Sequence, residues 1–204
     1  MGTVNDAALG FRHHTGWAVA VAVALVDDAP VVLDRRRVEM VPGDDRAPYH
    51  TAAERWGTSD EAAEALVDRV IQQAADGAAS AIAAAAGELG EAGHRVTAAG
   101  LPSGRSLPPL ASILRSHAML HTAEGVLYRD ALEEGASRNH LRVTVAPLKT
   151  LLPHAAGVLG EDEASLARTL AALGKSLGPP WQRDHREAAL LAWLASAGPV
   201  NEST

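Results

Sequence analysis

Cysteine is absent from the 204-residue chain. That excludes a disulfide framework, and it excludes a thiolate as nucleophile or metal ligand. Aromatic side chains make up only 3% of the residues, so alanine, leucine and valine must fill the core, which favours closely packed helices. No apolar run reaches the roughly 20 residues that span a bilayer. The longest, Trp17 to Val26, has strand length. Basic charge is also scarce: 18 Lys and Arg face 25 Asp and Glu, for a net charge of -7. Broad, sequence-blind binding to nucleic acid needs a basic surface, so only a locally basic cleft remains open. The N-terminus has no positive segment leading into a cleavable apolar stretch. The expectation is a cytoplasmic protein, with residues 1–197 as one domain and residues 198–204 as a flexible tail.

What is present reads as a mixed α/β chain. Ala8 to Phe11 is short and apolar, and Trp17 to Val26 is a continuous Ala/Val run that suits a strand buried on both faces. Asp27 to Pro30 reads as a turn, and Val31 to Val41 as a strand with one charged face, antiparallel to its predecessor. Residues 42–57 carry Pro42, Gly43, Pro48 and Gly57 and read as a loop. Thr58 to Glu61 has the spacing of a capping box. Ala63, Leu66, Val67, Val70, Ala74, Ala78, Ile82, Ala85 and Leu89 follow at helical spacing. That long Ala-rich helix fits either a homodimer interface or packing on the sheet. Arg95 to Leu101 and Leu141 to Ala146 are further strands. Helices fill about 113–136, 148–158, 161–173 and 186–195. An antiparallel meander feeding alternating helices and strands implies a five-stranded mixed sheet flanked by helices.

Three stretches carry a resemblance: ALGFRHHTGWAVAV (8–21), TAEGVLYRDALEEGASRNHLRVTVAPLKT (122–150) and DHREAALLAWLA (184–195). In this order they resemble the RuvC branch of the RNase H-like superfamily. The resemblance implies an RNase H-like fold, nucleic acid as a partner, and two divalent ions on four carboxylates that clamp a phosphodiester. Only Asp184 and Glu187 match that set. Arg12 or His13 stands at the first-strand position, and Gly100 or Leu101 at the fourth-strand position. Two readings follow. One is a divergent metal-dependent hydrolase of phosphodiester or related bonds, with histidines shifting preference from Mg²⁺ towards Zn²⁺ or Mn²⁺. The other is a non-catalytic descendant that binds a protein or a small anionic ligand.

Several clusters could carry either chemistry. Arg12, His13 and His14 sit at the first hinge, where histidine can act as acid, base or ligand and arginine can grip an anion. The bland alternative pairs Arg12 with an acid such as Glu39. His117 and His121 lie one helical turn apart with Glu124 three further on, a spacing that suits a borderline metal. Asp184 and Glu187 are candidate catalytic carboxylates, but Asp-x-x-Glu at a helix start is also a cap. Arg105, in the PSGRSLPP loop, is a candidate anion ligand. Arg35, Arg36 and Arg37 read chiefly as an edge with ion pairs. Tyr49, His50 and Glu54 are placed in a loop that could line a site. Trp181 and Trp193 read as core anchors. The expected convergence is one cleft holding His13 or His14, Asp184 and Glu187, with His117, His121 and Glu124 at its border.

Overall fold

The computed structural model describes residues 5–198; most of the stretch read as a tail, 199–204, lies outside them. Its strands are β1 (Asn5–His14), β2 (Trp17–Val26), β3 (Ala29–Glu39), β4 (His94–Pro102) and β5 (Arg142–Ala146). They form a five-stranded sheet in the order β3-β2-β1-β4-β5. β2 runs antiparallel to β1 and β3, while β1, β4 and β5 are mutually parallel. The β2–β3 hairpin turns on Asp27 and Asp28, both with positive φ, as a tight two-residue hairpin turn requires.

Period-two alternation divides the strands between two cores. On β2, Ala18, Ala20 and Ala22 face one side, and Val19, Val21 and Val23 face the other. The first side is covered by α1 (Pro48–Arg55), α2 (Asp60–Glu91), α3 (Leu110–Leu114) and α4 (His117–Arg138). The second is covered by α5 (Leu151–Leu159), α6 (Glu163–Leu177) and α7 (Arg183–Ser196). Each fully buried Leu or Val contributes about 1.5–3 kcal/mol over exposure. The long α2 lies against the first core, with Ala74, Ala78, Ile82 and Ala85 buried there.

The small residues have a specific use. Gly10 of β1 and Gly100 of β4 are register partners. A Cβ on Gly10 would fall inside the Ala188 carbonyl and the Ala192 amide, and one on Gly100 inside the Leu191 carbonyl. The α7 backbone therefore lies directly on the sheet, which fixes where its first turn ends up.

Some sequence expectations need correction. Residues 42–57 include the helix α1, opened by Pro48 at its first turn. The capping box expected at Thr58–Glu61 is not formed. Ser59 takes the N-cap position without a side-chain bond, and Thr58 Oγ1 donates to the Arg55 carbonyl. The helical stretch read from about 113 to 136, with room for a break, starts earlier at Leu110, is divided at Arg115–Ser116 and runs on to Arg138. Trp193 is buried as expected, and Trp181 donates from Nε1 to the Leu170 carbonyl.

Arg35, Arg36 and Arg37 divide by alternation, as read. Arg36 reaches Asp34 and Glu88 on the α2 side. Arg35 turns to the other face and donates to the Gly178 and Pro179 carbonyls after α6. Arg37 lies 3.9 Å over the Trp17 ring.

Candidate functional site

The tip of β1 presents its three polar residues to different sides. Leu9 and Phe11 belong to the first core, whereas Gly10 faces α7. Continuing that alternation sends Arg12 and His14 towards α7 and His13 towards α4. Arg12 Nε donates to Glu187 Oε2 at 2.9 Å and stands 3.9 Å from Asp184 Oδ1. Its Nη1 donates to the His13 carbonyl. His14 Nε2 lies 2.9 Å from Asp184 Oδ2, and its ring stacks on Trp17 at 4.2 Å. Arg183 donates to the second Glu187 oxygen at 2.6 Å. Arg12 does not pair with Glu39, which instead meets Arg37 and Arg46.

The capping alternative for Asp184 and Glu187 does not hold either. Gln182 is the N-cap of α7, and His185 is its reciprocal partner in the capping box. The two carboxylates are thus bound to β1, one helical turn apart on one face. Glu187 is mostly buried, with side-chain exposure of 14%.

His13 is held differently. Its Nδ1 is buried without a hydrogen-bond partner. Burial, and then the charges of Arg12, His14 and Arg129, push its pKa down to about 4. The ring is neutral at physiological pH.

Beyond the carboxyl ends of β1, β4 and β5 lies a cleft of about 590 Å³. Ligands favour such positions in open α/β sheets. Its lining includes Arg12, Arg105, Arg129, Lys149 and Arg183, five cations, against one carboxylate, Glu187. His13 and His121 line it too. Arg129 is buried, donates to the Pro102 carbonyl and pairs with Asp130 and Glu133. Among the described residues Arg105 and Lys149 make no ion pair, and both are exposed.

A second cluster stands where α1 meets α4. His50, His117 and His121 each offer a nitrogen, and these lie within 4.8 Å of one another. The Nε2 atoms of His117 and His121 are 3.2 Å apart. Glu124 stands behind His50 instead of beside the His pair. Its Oε1 accepts from the backbone N–H of Tyr49 at 3.0 Å and lies 3.3 Å from His50 Nδ1. Burial pushes the Glu124 carboxyl up to about 7, against the lowering effect of the His50 and Tyr49 N–H groups.

The structure therefore brings Arg12, His14, Asp184 and Glu187 together, and it joins Arg105 and His121 to the same cleft as Arg12 and His13. Three contributors were missed in the sequence: Arg129, Lys149 and Arg183. None has a distinctive spacing. Arg129 lies inside a stretch that shows only helical spacing, and the other two follow prolines whose loops give no side-chain direction. His50 was noted, but the loop reading of 42–57 hid that a helix carries it towards α4.

Strand order β3-β2-β1-β4-β5 with β2 alone reversed makes the mixed five-stranded sheet flanked by helices that the sequence implies, and it is consistent with an RNase H-like fold. No family model matches the chain, and no curated protein matches it. Among solved structures, one described as the Thermus thermophilus RuvC structure is similar. It is 11% identical, with 92% of each chain covered and a TM-score of 0.49. Among the described residues no helix is long and apolar enough to cross a membrane.

Proposed function

We propose that the protein binds a small anionic ligand, of the phosphate or carboxylate class, in the cleft at the strand ends, and does not hydrolyse phosphodiesters through two ions. The observation that carries this reading is the pairing of Asp184 and Glu187. Both are satisfied internally, by His14 on one side and by Arg12 and Arg183 on the other. Arg12 or His13 stands where a RuvC-like pattern would have a carboxylate, and the Arg12 guanidinium compensates the charge that a metal ion would otherwise balance. Gly100 and Leu101, at the fourth-strand position, offer no side-chain ligand.

Mg²⁺ and Mn²⁺ want several oxygen ligands each. Two carboxylates already paired with cations do not fit a two-ion group, so no hydrolytic step is derived from them. The excess of positive charge instead suits an anion. Arg105 and Lys149 are the contacts of choice, because binding through them breaks no internal pair. Arginine can take two oxygens of a phosphate or carboxylate at once. His13 adds a neutral ring to the wall. The net charge of -7 disfavours extended nucleic acid as the ligand.

Calorimetric titration with inorganic pyrophosphate at low ionic strength tests this. Wild type is expected to bind one equivalent. The Arg105→Ala/Lys149→Ala double variant should bind roughly tenfold or more weakly, as expected for lost charge-assisted hydrogen bonds. The hydrolase reading is tested in parallel with bis(p-nitrophenyl) phosphate. Cleavage dependent on Mg²⁺ or Mn²⁺, and abolished by Asp184→Asn or Glu187→Gln, would overturn the proposal. So would wild-type affinity for pyrophosphate in the double variant.

A further inference from the structure

We infer that His50, His117 and His121 form a site for a borderline transition-metal ion such as Zn²⁺, with Glu124 as the carboxylate that orients His50. The site is separate from Asp184 and Glu187 and does not depend on the anion reading. Three features of the geometry support it.

First, the three side chains come from two elements. His117 and His121 are one turn apart on α4, and His50 is delivered by α1. A helical His pair alone is common on wet surfaces. A third imidazole brought against it by another helix is not produced by local spacing. The ring centroids of His50 lie 5.7 Å from those of His117 and 4.7 Å from those of His121.

Second, the spacing of the helical pair is that of ligands, with the His50 nitrogen within 4.8 Å of both. Zn–N bonds of about 2.0–2.1 Å in a tetrahedron place neighbouring nitrogens about 3.3 Å apart. His117 Nε2 and His121 Nε2 are 3.2 Å apart. Without an ion that contact is one hydrogen bond between a protonated and a bare nitrogen. With an ion both nitrogens ligate with little movement.

Third, a carboxylate stands behind the ligands. Metal-bound histidines usually give their other ring nitrogen to a carboxylate, which fixes tautomer and orientation. Glu124 does this for His50 through Nδ1, at 3.3 Å, leaving Nε2 to ligate. Glu124 is only 3% exposed, and its Oε2 is buried without a partner. No Arg or Lys pairs with it among the described residues; its sole ion-pair partner is His50. A buried carboxylate needs such compensation, and a divalent cation held by His50 supplies it.

Three nitrogens leave one tetrahedral position open. His117 and His121 are exposed, so that position is reachable by solvent, and His121 also lines the cationic cleft. An open fourth position is the arrangement of zinc sites that exchange water for a ligand. All-imidazole ligation selects Zn²⁺, Co²⁺, Ni²⁺ or Cu²⁺ over Mg²⁺.

The test uses Zn²⁺ alone, in phosphate-free buffer, on the chelator-stripped full chain. Titration against a competing chelator should give one Zn²⁺ per chain, and Co²⁺ should give the visible absorption of a four-coordinate site. His50→Ala should weaken Zn²⁺ binding about 100-fold or more. Glu124→Gln should keep the Co²⁺ spectrum while weakening binding about tenfold. Wild-type affinity in His50→Ala would reduce the site to a surface His pair and overturn the inference. Should His50→Ala fail to fold, His121→Ala changes an exposed side chain and serves instead; unchanged affinity there overturns the inference equally. Absence of stoichiometric Zn²⁺ binding by wild type also sinks it, whatever pyrophosphate does.

Discussion

Alanine at Gly10 or Gly100 is expected to destabilise the protein by about 3 kcal/mol or more, although the same change usually helps a strand. Glycine in a strand interior costs about 0.5–1 kcal/mol relative to alanine through lost backbone entropy. Sterics win here because the added Cβ would overlap backbone atoms of α7: the Ala188 carbonyl and Ala192 amide for Gly10, the Leu191 carbonyl for Gly100. A flexible side chain could move aside, whereas a helix backbone must move as a unit. Overpacking of this kind costs 1–3 kcal/mol and sometimes more. Gly87→Ala is the control. Gly87 is exposed inside α2, and a Cβ there meets nothing within 4 Å. That variant should gain up to about 1 kcal/mol. Urea unfolding measures both, with the midpoint moving in opposite directions. A Gly10→Ala midpoint at or above wild type would show that α7 is not seated as described. The consequence reaches the site, because lifting α7 withdraws Asp184 and Glu187 from Arg12 and His14.

Much of this was legible in the sequence because the sheet writes itself in period two. The meander, the buried Ala/Val strand and the later strands follow from alternation and turn residues alone. The strand glycines were visible as well, but their purpose depends on a helix some 90 to 180 residues away in the chain. The site was harder. Arg12, His13 and His14 read as one polar hinge, whereas alternation sends the middle residue to the opposite face. Asp184 and Glu187 were correctly placed near them, while their partners were not foreseen: a local cap and a distant ion pair leave the same Asp-x-x-Glu in the sequence. The His cluster shows the opposite difficulty. His117 and His121 are marked by helical spacing, but the third imidazole comes from a short helix, α1, whose proline and flanking glycines suggested only a loop. Glu124 shares the helical stripe with the His pair, yet burial turns it towards His50.

The pH dependence of stability should single out His13. Its folded-state pKa is pushed down to about 4, first by burial and then by the charges of Arg12, His14 and Arg129. In the unfolded chain the value returns to about 6.5. Between these values the unfolded state binds a proton that the folded state refuses. The stability contributed by keeping His13 neutral is therefore fully present above about pH 6.5 and is lost as pH falls towards 4. One pKa unit corresponds to 1.36 kcal/mol, so the loss over that window is about 3 kcal/mol. Other groups titrate in the same range, so the informative quantity is the difference between wild type and His13→Gln, which keeps a polar side chain without the charge. Urea unfolding at pH 7.5 and pH 4 should show the variant gaining about 3 kcal/mol on wild type across the interval. A stability difference independent of pH would mean that His13 protonates freely in the folded state. His13 would then be charged or neutral according to pH, and the cleft wall beside Arg12 would lose the fixed neutral surface that the anion-binding reading assigns to it.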